Sequence, residues 1–143
     1  MELLQQRGYD EIRCLVRTDP KWLSGLDVTT VRGDLSDVPV LWDALDGVTH
    51  VYHVAGITRA QKWETFHRVN VRATMNLMGA IKHAAPDVNR VLVTSSLAAV
   101  GRCDAKVATE DVPLNPVSRY GRSKAEMEQA LHDPHEMTAS YAE

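Results

Sequence analysis

Tyr120 and Lys124 close the stretch Tyr120-Gly121-Arg122-Ser123-Lys124. Four residues apart, they lie one turn from each other on one face of a helix. A phenol held beside a cation can give up or take a proton. Free tyrosine has a pKa near ~10 and is no base at neutral pH, but a fixed ammonium favours the phenolate and lowers that pKa. Such chemistry also needs a hydroxyl donor to hold the reacting oxygen. Ser96, at the end of the run Arg90-Val91-Leu92-Val93-Thr94-Ser95-Ser96, precedes Tyr120 by 24 residues and can supply it. The pair alone is weak, because chance places a Tyr-xxx-Lys in roughly one chain in seven of this composition. A solvated first helical turn explains it equally well, and strand-end capping explains Thr94 and Ser95.

The elements that must position these groups alternate. Residues 2–8 read as the last turns of a helix closed by Gly8, 11–17 as a strand, 18–26 as a turn with a short helix, and 27–34 as a second strand ending at Gly33. Residues 36–47 read as a helix with Ser36 as its N-cap, Val38, Leu41 and Leu45 on one face, and Gly47 at its end. A third strand, 48–56, ends in small residues. The longest helical pattern, 62–86, carries Phe66, Val69, Ala73, Leu77 and Ile81 at helical spacing and stops at Pro86. Residues 89–96 form a nearly continuous apolar strand, expected to be buried on both faces. A loop over 97–117 and a last helix over 118–132 follow. This order predicts an α/β fold with a parallel sheet and helices on its faces. Ligands bind such sheets at the carboxyl ends of the strands, which here are Arg17, Gly33-Asp34, Val54-Ala55-Gly56 and Thr94-Ser95-Ser96.

Composition bounds the function. The chain has 143 residues, 44% hydrophobic and 24% charged, with a formal net charge of −3. That suits one soluble domain and offers no electrostatic case for nucleic acid or an anionic membrane. No signal peptide and no membrane-length apolar run is present, which makes the cytoplasm the default location. Cys14 and Cys103 are far apart and suggest neither a disulfide framework nor a zinc site. His50 and His53, an odd number apart in a strand, face opposite sides, and His132/His135 sit at the start of a polar tail. No metal site is expected.

Taken together, "VLVTSSLAAVG" (91–101) and "EDVPLNPVSRYGRSKAEME" (110–128) resemble the NAD(P)-dependent epimerase/dehydratase family, the extended short-chain dehydrogenases/reductases. The resemblance continues upstream through "GDLSD" (33–37), "THVYHVAG" (49–56) and "NVRATMNLMGAI" (70–81). It implies Ser96 as the group that binds and polarises the substrate hydroxyl or carbonyl. Tyr120 is implied as general acid/base, and Lys124 as the cation that lowers the tyrosine pKa and holds the nicotinamide ribose. Asp34 and Leu35 would lie against the adenine, Val54, Ala55 and Gly56 would pass under the cofactor, and Thr94 and Ser95 would line its nicotinamide side. Asn70 matches a family position near the site, though a helix-interior hydrogen bond is an equal explanation. An arginine at the end of the second family strand accommodates a 2′-phosphate. Arg17, with Lys21 behind it, therefore favours NADP over NAD. The implied substrate is a small molecule, a nucleotide sugar or a ketone or alcohol, and helices 62–85 and 118–132 would form a homodimer interface.

The family's opening strand and GxxGxxG turn, which seat the pyrophosphate, are not in this sequence. The expectation is a partial Rossmann-like, doubly wound parallel sheet lacking its first βα unit, over residues 1–132, with a polar tail at 133–143. In the order 3-2-1-4-5-6 that absent strand is central. The strand pair 11–17 and 27–32 should therefore be separated from the pair 48–54 and 89–95. A chain truncated at both ends would have weak cofactor binding and impaired turnover. The alternatives are a non-catalytic dinucleotide-binding module and an inert fragment.

Overall fold

The computed structural model describes residues 1–103 and 107–133; most of the polar tail, including His135, lies outside them. Among the described residues there are four short strands: β1 (Arg13–Val16), β2 (Thr29–Arg32), β3 (His50–His53) and β4 (Arg90–Val93). They form two separate two-stranded parallel sheets, β1 with β2 and β3 with β4. In register, Leu15 pairs with Val31 and Val51 with Val91. No strand ladder joins the two sheets among the described residues, as the absence of a central strand requires.

Helices hold the sheets instead. After α1 (Glu2–Gln6), α2 (Val38–Leu45) packs on the long helical stretch that ends in α4 (Ala73–Ala84). Leu41, Leu45, Leu77, Ala80, Ile81 and Ala85 form the core cluster, and Leu15 from one sheet and Val51 and Val91 from the other both pack against it. At one end of this layer Arg13 donates from Nη1 to the carbonyls of Ala44 (2.8 Å) and Asp46 (2.9 Å). It thereby caps the carboxyl end of α2, where orphan carbonyls and the helix dipole favour a cation. Gly8 and Gly47, at φ +82 and +69, end their helices as expected.

Four expectations are corrected. The N-cap of α2 is Asp37, whose side chain accepts from Val40 N, while Ser36 bonds to Asp34. Strand β4 is not buried on both faces: Val91 faces the helices, whereas Leu92 is 47% exposed beside its register partner Tyr52 at 50%. No described element covers that second face. Part of the expected loop folds as a short helix, α5 (Leu97–Val100). The long helix is also not uniform. It begins as α3 (Trp63–Phe66), passes through a π-helical segment at His67–Arg72 and continues as α4. The wider turn sends Asn70 and Val71 into the interior and leaves Val69 only half-buried. The last helix, α6, runs Arg119–His132. No described helix is long and apolar enough to cross a membrane.

Candidate active site

Helix α6 begins with Ser118, whose hydroxyl accepts from Gly121 N at 2.9 Å. Gly121 is where α6 meets α5. A methyl group there would stand 2.1 Å from the Ala98 carbonyl oxygen, inside any permitted contact. Only glycine lets the two helices approach so closely. Ser96 is the N-cap of α5, accepting from Ala98 N at 3.2 Å. The tight seat thus brings the end of β4 and the first turn of α6 to one corner of the molecule. Tyr120 is half-buried there, its ring centroid 6.4 Å from that of Phe66.

Lys124 is a buried charge, only 5% exposed. Its Nζ donates to the Thr94 carbonyl at 2.8 Å and lies 3.9 Å from Met127 Sδ. Loss of water lowers its pKa, and the Glu128 carboxylate opposes that shift. The end of β3 lies against the same ammonium. A methyl group on Gly56 would come 3.6 Å from Lys124 Nζ and 3.1 Å from Asn70 Oδ1. Val54, Ala55 and Gly56 are exposed, so their backbone is open on the outer side and backed by Lys124 and Asn70 on the inner side.

Asn70, 1% exposed, is the hub behind this floor. Its Oδ1 accepts from Ile57 N at 2.8 Å, and its Nδ2 donates to Ile57 O and to Ser123 Oγ, each at 2.9 Å. Thr74 Oγ1 donates to the Asn70 carbonyl at 2.9 Å and sits 2.8 Å from His53 Nε2. With the hydroxyl proton committed to Asn70, His53 donates from Nε2, which sets the tautomer of the neutral ring. Burial, helped by the nearby Lys124 charge, pushes its pKa down to about 4. His50 lies on the other face, edge-on to Tyr9 with ring centroids 6.2 Å apart.

A second group stands on the β1–β2 sheet. Asp34 Oδ1 accepts from Ser36 N (2.9 Å) and Ser36 Oγ (2.8 Å), and Arg17 Nη1 lies 4.0 Å from its Oδ2. The Ser36 backbone bond, then the Ser36 hydroxyl, hold the Asp34 carboxyl below its usual range, with lesser help from Arg17 and Arg68 against a small burial penalty. Leu35 packs partly into the core, and its carbonyl accepts from Asn76 Nδ2 at 3.1 Å, which ties this turn to α4.

Of the residues singled out from the sequence, Gly56, Thr94 and Lys124 are in mutual contact or one contact apart, and Ser96 and Tyr120 flank them through the α5–α6 seat. Arg17 and Asp34 form a separate pair on the other sheet. The Ser95 hydroxyl donates to Glu128 on α6. His53, Thr74 and Ser123 were not singled out for this site. Thr74 follows Asn70 by four and Ser123 follows Tyr120 by three, which is local helical hydrogen-bond spacing. Only the π turn makes them converge, and no residue type announces it.

A family model described as the NAD dependent epimerase/dehydratase family matches residues 1–142. D-erythronate dehydrogenase of Cupriavidus necator is 38% identical over 118 residues, which is 80% of this chain and 36% of that protein. Sterol demethylase protein B of Methylococcus capsulatus is 37% identical over 130 residues, 85% of this chain and 38% of that protein. The chain therefore spans a little over a third of these relatives' length. Among solved structures, DesIV, a dTDP-glucose 4,6-dehydratase from Streptomyces venezuelae with NAD bound, superposes with a TM-score of 0.81 at 27% identity. That match covers 94% of this chain and 47% of DesIV.

Proposed function

This chain belongs to the NAD dependent epimerase/dehydratase family, and from that premise we propose that its site is built for proton transfer at a hydroxyl or carbonyl carbon beside a nicotinamide dinucleotide. The observation that carries the reading is Lys124, an ammonium 5% exposed, one helical turn from a half-buried tyrosine and close against Gly56, where a side chain would crowd Asn70 Oδ1 at 3.1 Å. A buried cation is costly to the fold and is retained where its charge has a use. The exposed backbone at 54–56, with small residues at Ala55 and Gly56, fits the flat approach of a dinucleotide. Val54, Ala55, Gly56 and Lys124 would hold its nicotinamide end, with Thr94 and the Ser95 backbone beside them, and Asp34, Leu35 and Arg17 its adenine end.

When bound, the dinucleotide supplies or accepts hydride at the substrate carbon. Tyr120 gives or takes the proton of the substrate oxygen, and Ser96 hydrogen-bonds the same oxygen. Lys124, its Nζ fixed on the Thr94 carbonyl, would hold the nicotinamide ribose beside Tyr120. The Arg17 guanidinium, exposed beside Asp34, favours NADP over NAD. The substrate is a small molecule, either a nucleotide sugar, the substrate class of the similar DesIV, or a ketone or alcohol. A homodimer through residues 62–85 and 118–132 completes the reading, with a cytoplasmic location.

The sequence contains no GxxGxxG turn, so the 143-residue chain by itself should bind NADPH weakly and turn over little. Fluorescence titration of the purified chain checks this, and micromolar binding would refute it. Tyr120→Phe separates an enzyme from a dinucleotide-binding module. The enzyme loses its rate and keeps cofactor affinity, whereas the module is indifferent.

A further inference from the structure

We propose that Ser123 is the positioning residue of the site: it locks the Tyr120–Lys124 turn of α6 to the loop backbone at Ile57, through Asn70. The proposal rests on the reading of Tyr120 and Lys124 given above. The observation behind it is a directional hydrogen-bond chain with no spare member. His53 Nε2 donates to Thr74 Oγ1 (2.8 Å), and Thr74 Oγ1 donates to the Asn70 carbonyl (2.9 Å). Asn70 Nδ2 donates to Ser123 Oγ (2.9 Å), and Ser123 Oγ donates to the Tyr120 carbonyl (2.7 Å). The other Nδ2 hydrogen and Oδ1 of Asn70 close on Ile57 O and N. Each proton has one acceptor, so the order of the chain admits one arrangement.

Burial makes that arrangement binding. Ser123 and Thr74 are 0% exposed, Asn70 is 1% and His53 4%. Water cannot replace a lost partner at such sites, and the orphaned group carries its full desolvation penalty. A serine inside a helix commonly returns its hydroxyl to a carbonyl one turn back, as Ser123 does. Here its lone pair also receives Asn70 from the π turn, so one hydroxyl joins two elements distant in sequence. The loop it fixes includes Gly56, which faces Lys124 Nζ. Without the link, the Tyr120 turn and the floor at 54–57 would keep their own elements but lose their mutual register.

Amide hydrogen exchange by NMR on the 143-residue chain tests this without a cofactor. Ser123→Ala should speed exchange of the Ile57 amide about tenfold, the order expected for one buried hydrogen bond lost. The amides of Leu77 and Ile81 in α4 should be unchanged. Competitive acetylation followed by mass spectrometry should show Lys124 reacting faster relative to exposed Lys82. A serine with a merely structural role would raise the Ile57, Leu77 and Ile81 rates by one common factor. That result, or an unchanged Ile57 amide, or an unchanged Lys124-to-Lys82 ratio, overturns the proposal. If Ser123→Ala does not fold, the unmutated chain still decides. The Asn70 Nδ2 protons should exchange with the Ile57 amide as one opening event, and independent exchange overturns the lock. An Ile57 response in Ser123→Ala together with an unchanged rate in Tyr120→Phe would count against the functional reading and support the lock.

Discussion

Gly121→Ala tests the seat on which the whole candidate site depends. A Cβ at this position would stand 2.1 Å from the Ala98 carbonyl oxygen, 2.9 Å from the carbonyl carbon and 3.2 Å from Pro116 Cβ. Backbone, not a flexible side-chain tip, is in the way. The Ala98 peptide must retreat by about 1 Å before the contact is tolerable, and overpacking of this kind costs roughly 1–3 kcal/mol. Alanine is the better helix former and returns up to about 1 kcal/mol at a helical glycine. The balance is a net loss of about 1–2 kcal/mol in urea unfolding followed by circular dichroism, with the slope against urea unchanged. The displacement also carries α5 away from α6, so Ser96 loses its place beside the Tyr120 turn. Amides of Ala99 and Gly101, which donate to the Ser96 and Leu97 carbonyls, should then exchange faster. A variant as stable as the parent, with those amides unmoved, would mean that α5 does not sit on α6 as described.

Other outcomes follow from the charges. His53 is held near a pKa of about 4 by burial against about 6.5 when unfolded. The unfolded state thus binds the extra proton first. Stability should be full above pH 6.5 and fall by about 3 kcal/mol as pH drops toward 4, and His53→Gln should flatten that part of a pH series of urea melts. Lys124 has a lowered pKa because it lacks water, so Lys124→Met should leave stability equal or raise it by about 1 kcal/mol; a clear loss would show that the cation stabilises the fold. Arg17→Ala should weaken NADPH binding more than NADH binding, read by fluorescence titration; equal losses would remove the case for a 2′-phosphate site. Ser36→Ala should let the Asp34 pKa rise only part of the way toward the ordinary carboxylate range in an NMR titration, since it removes the hydroxyl bond and leaves the larger backbone one in place.

Local pattern and topology were legible in the sequence to different depths. Strand and helix alternation, the helix-ending Gly8 and Gly47 and the apolar face of α2 follow from rules that act within one turn. The separation of the two sheets followed from asking which strand a doubly wound order would place between them. The exposure of Leu92 was not legible. A continuous apolar run reports that a strand could be buried on both faces, not that the described chain supplies both covers. The π turn was hidden for a related reason. Phe66, Val69, Ala73, Leu77 and Ile81 fit a regular helix well enough, and the decision against it lies in the buried amide of Asn70, which needs Ile57 and Ser123 from elsewhere. Tyr120 and Lys124 announced themselves by type and spacing. Ser123, between them, did not, because serine beside a lysine is unremarkable until its hydroxyl is seen to have two partners.

The split sheet gives the helical layer a part that strands normally play. Arg17 and Asp34 ride on β1–β2, whereas Gly56, Thr94 and Lys124 belong to the β3–β4 side, and among the described residues no ladder runs between them. The distance from one end of a bound dinucleotide to the other is therefore set by what both sheets share. That is the packing of Leu15, Val51 and Val91 on Leu41, Leu45, Leu77 and Ile81, together with the tie from Asn76 to the Leu35 carbonyl. Leu77→Ala, at a residue 6% exposed in the core cluster on which Leu35 also packs, should cost about 2–5 kcal/mol as a buried large-to-small change. It should also loosen the relation between the two half-sites. Affinity for the intact dinucleotide should then fall further than affinity for AMP, which on the proposed reading touches only the β1–β2 half. Equal loss for both ligands would place the coupling somewhere other than the core between α2 and α4.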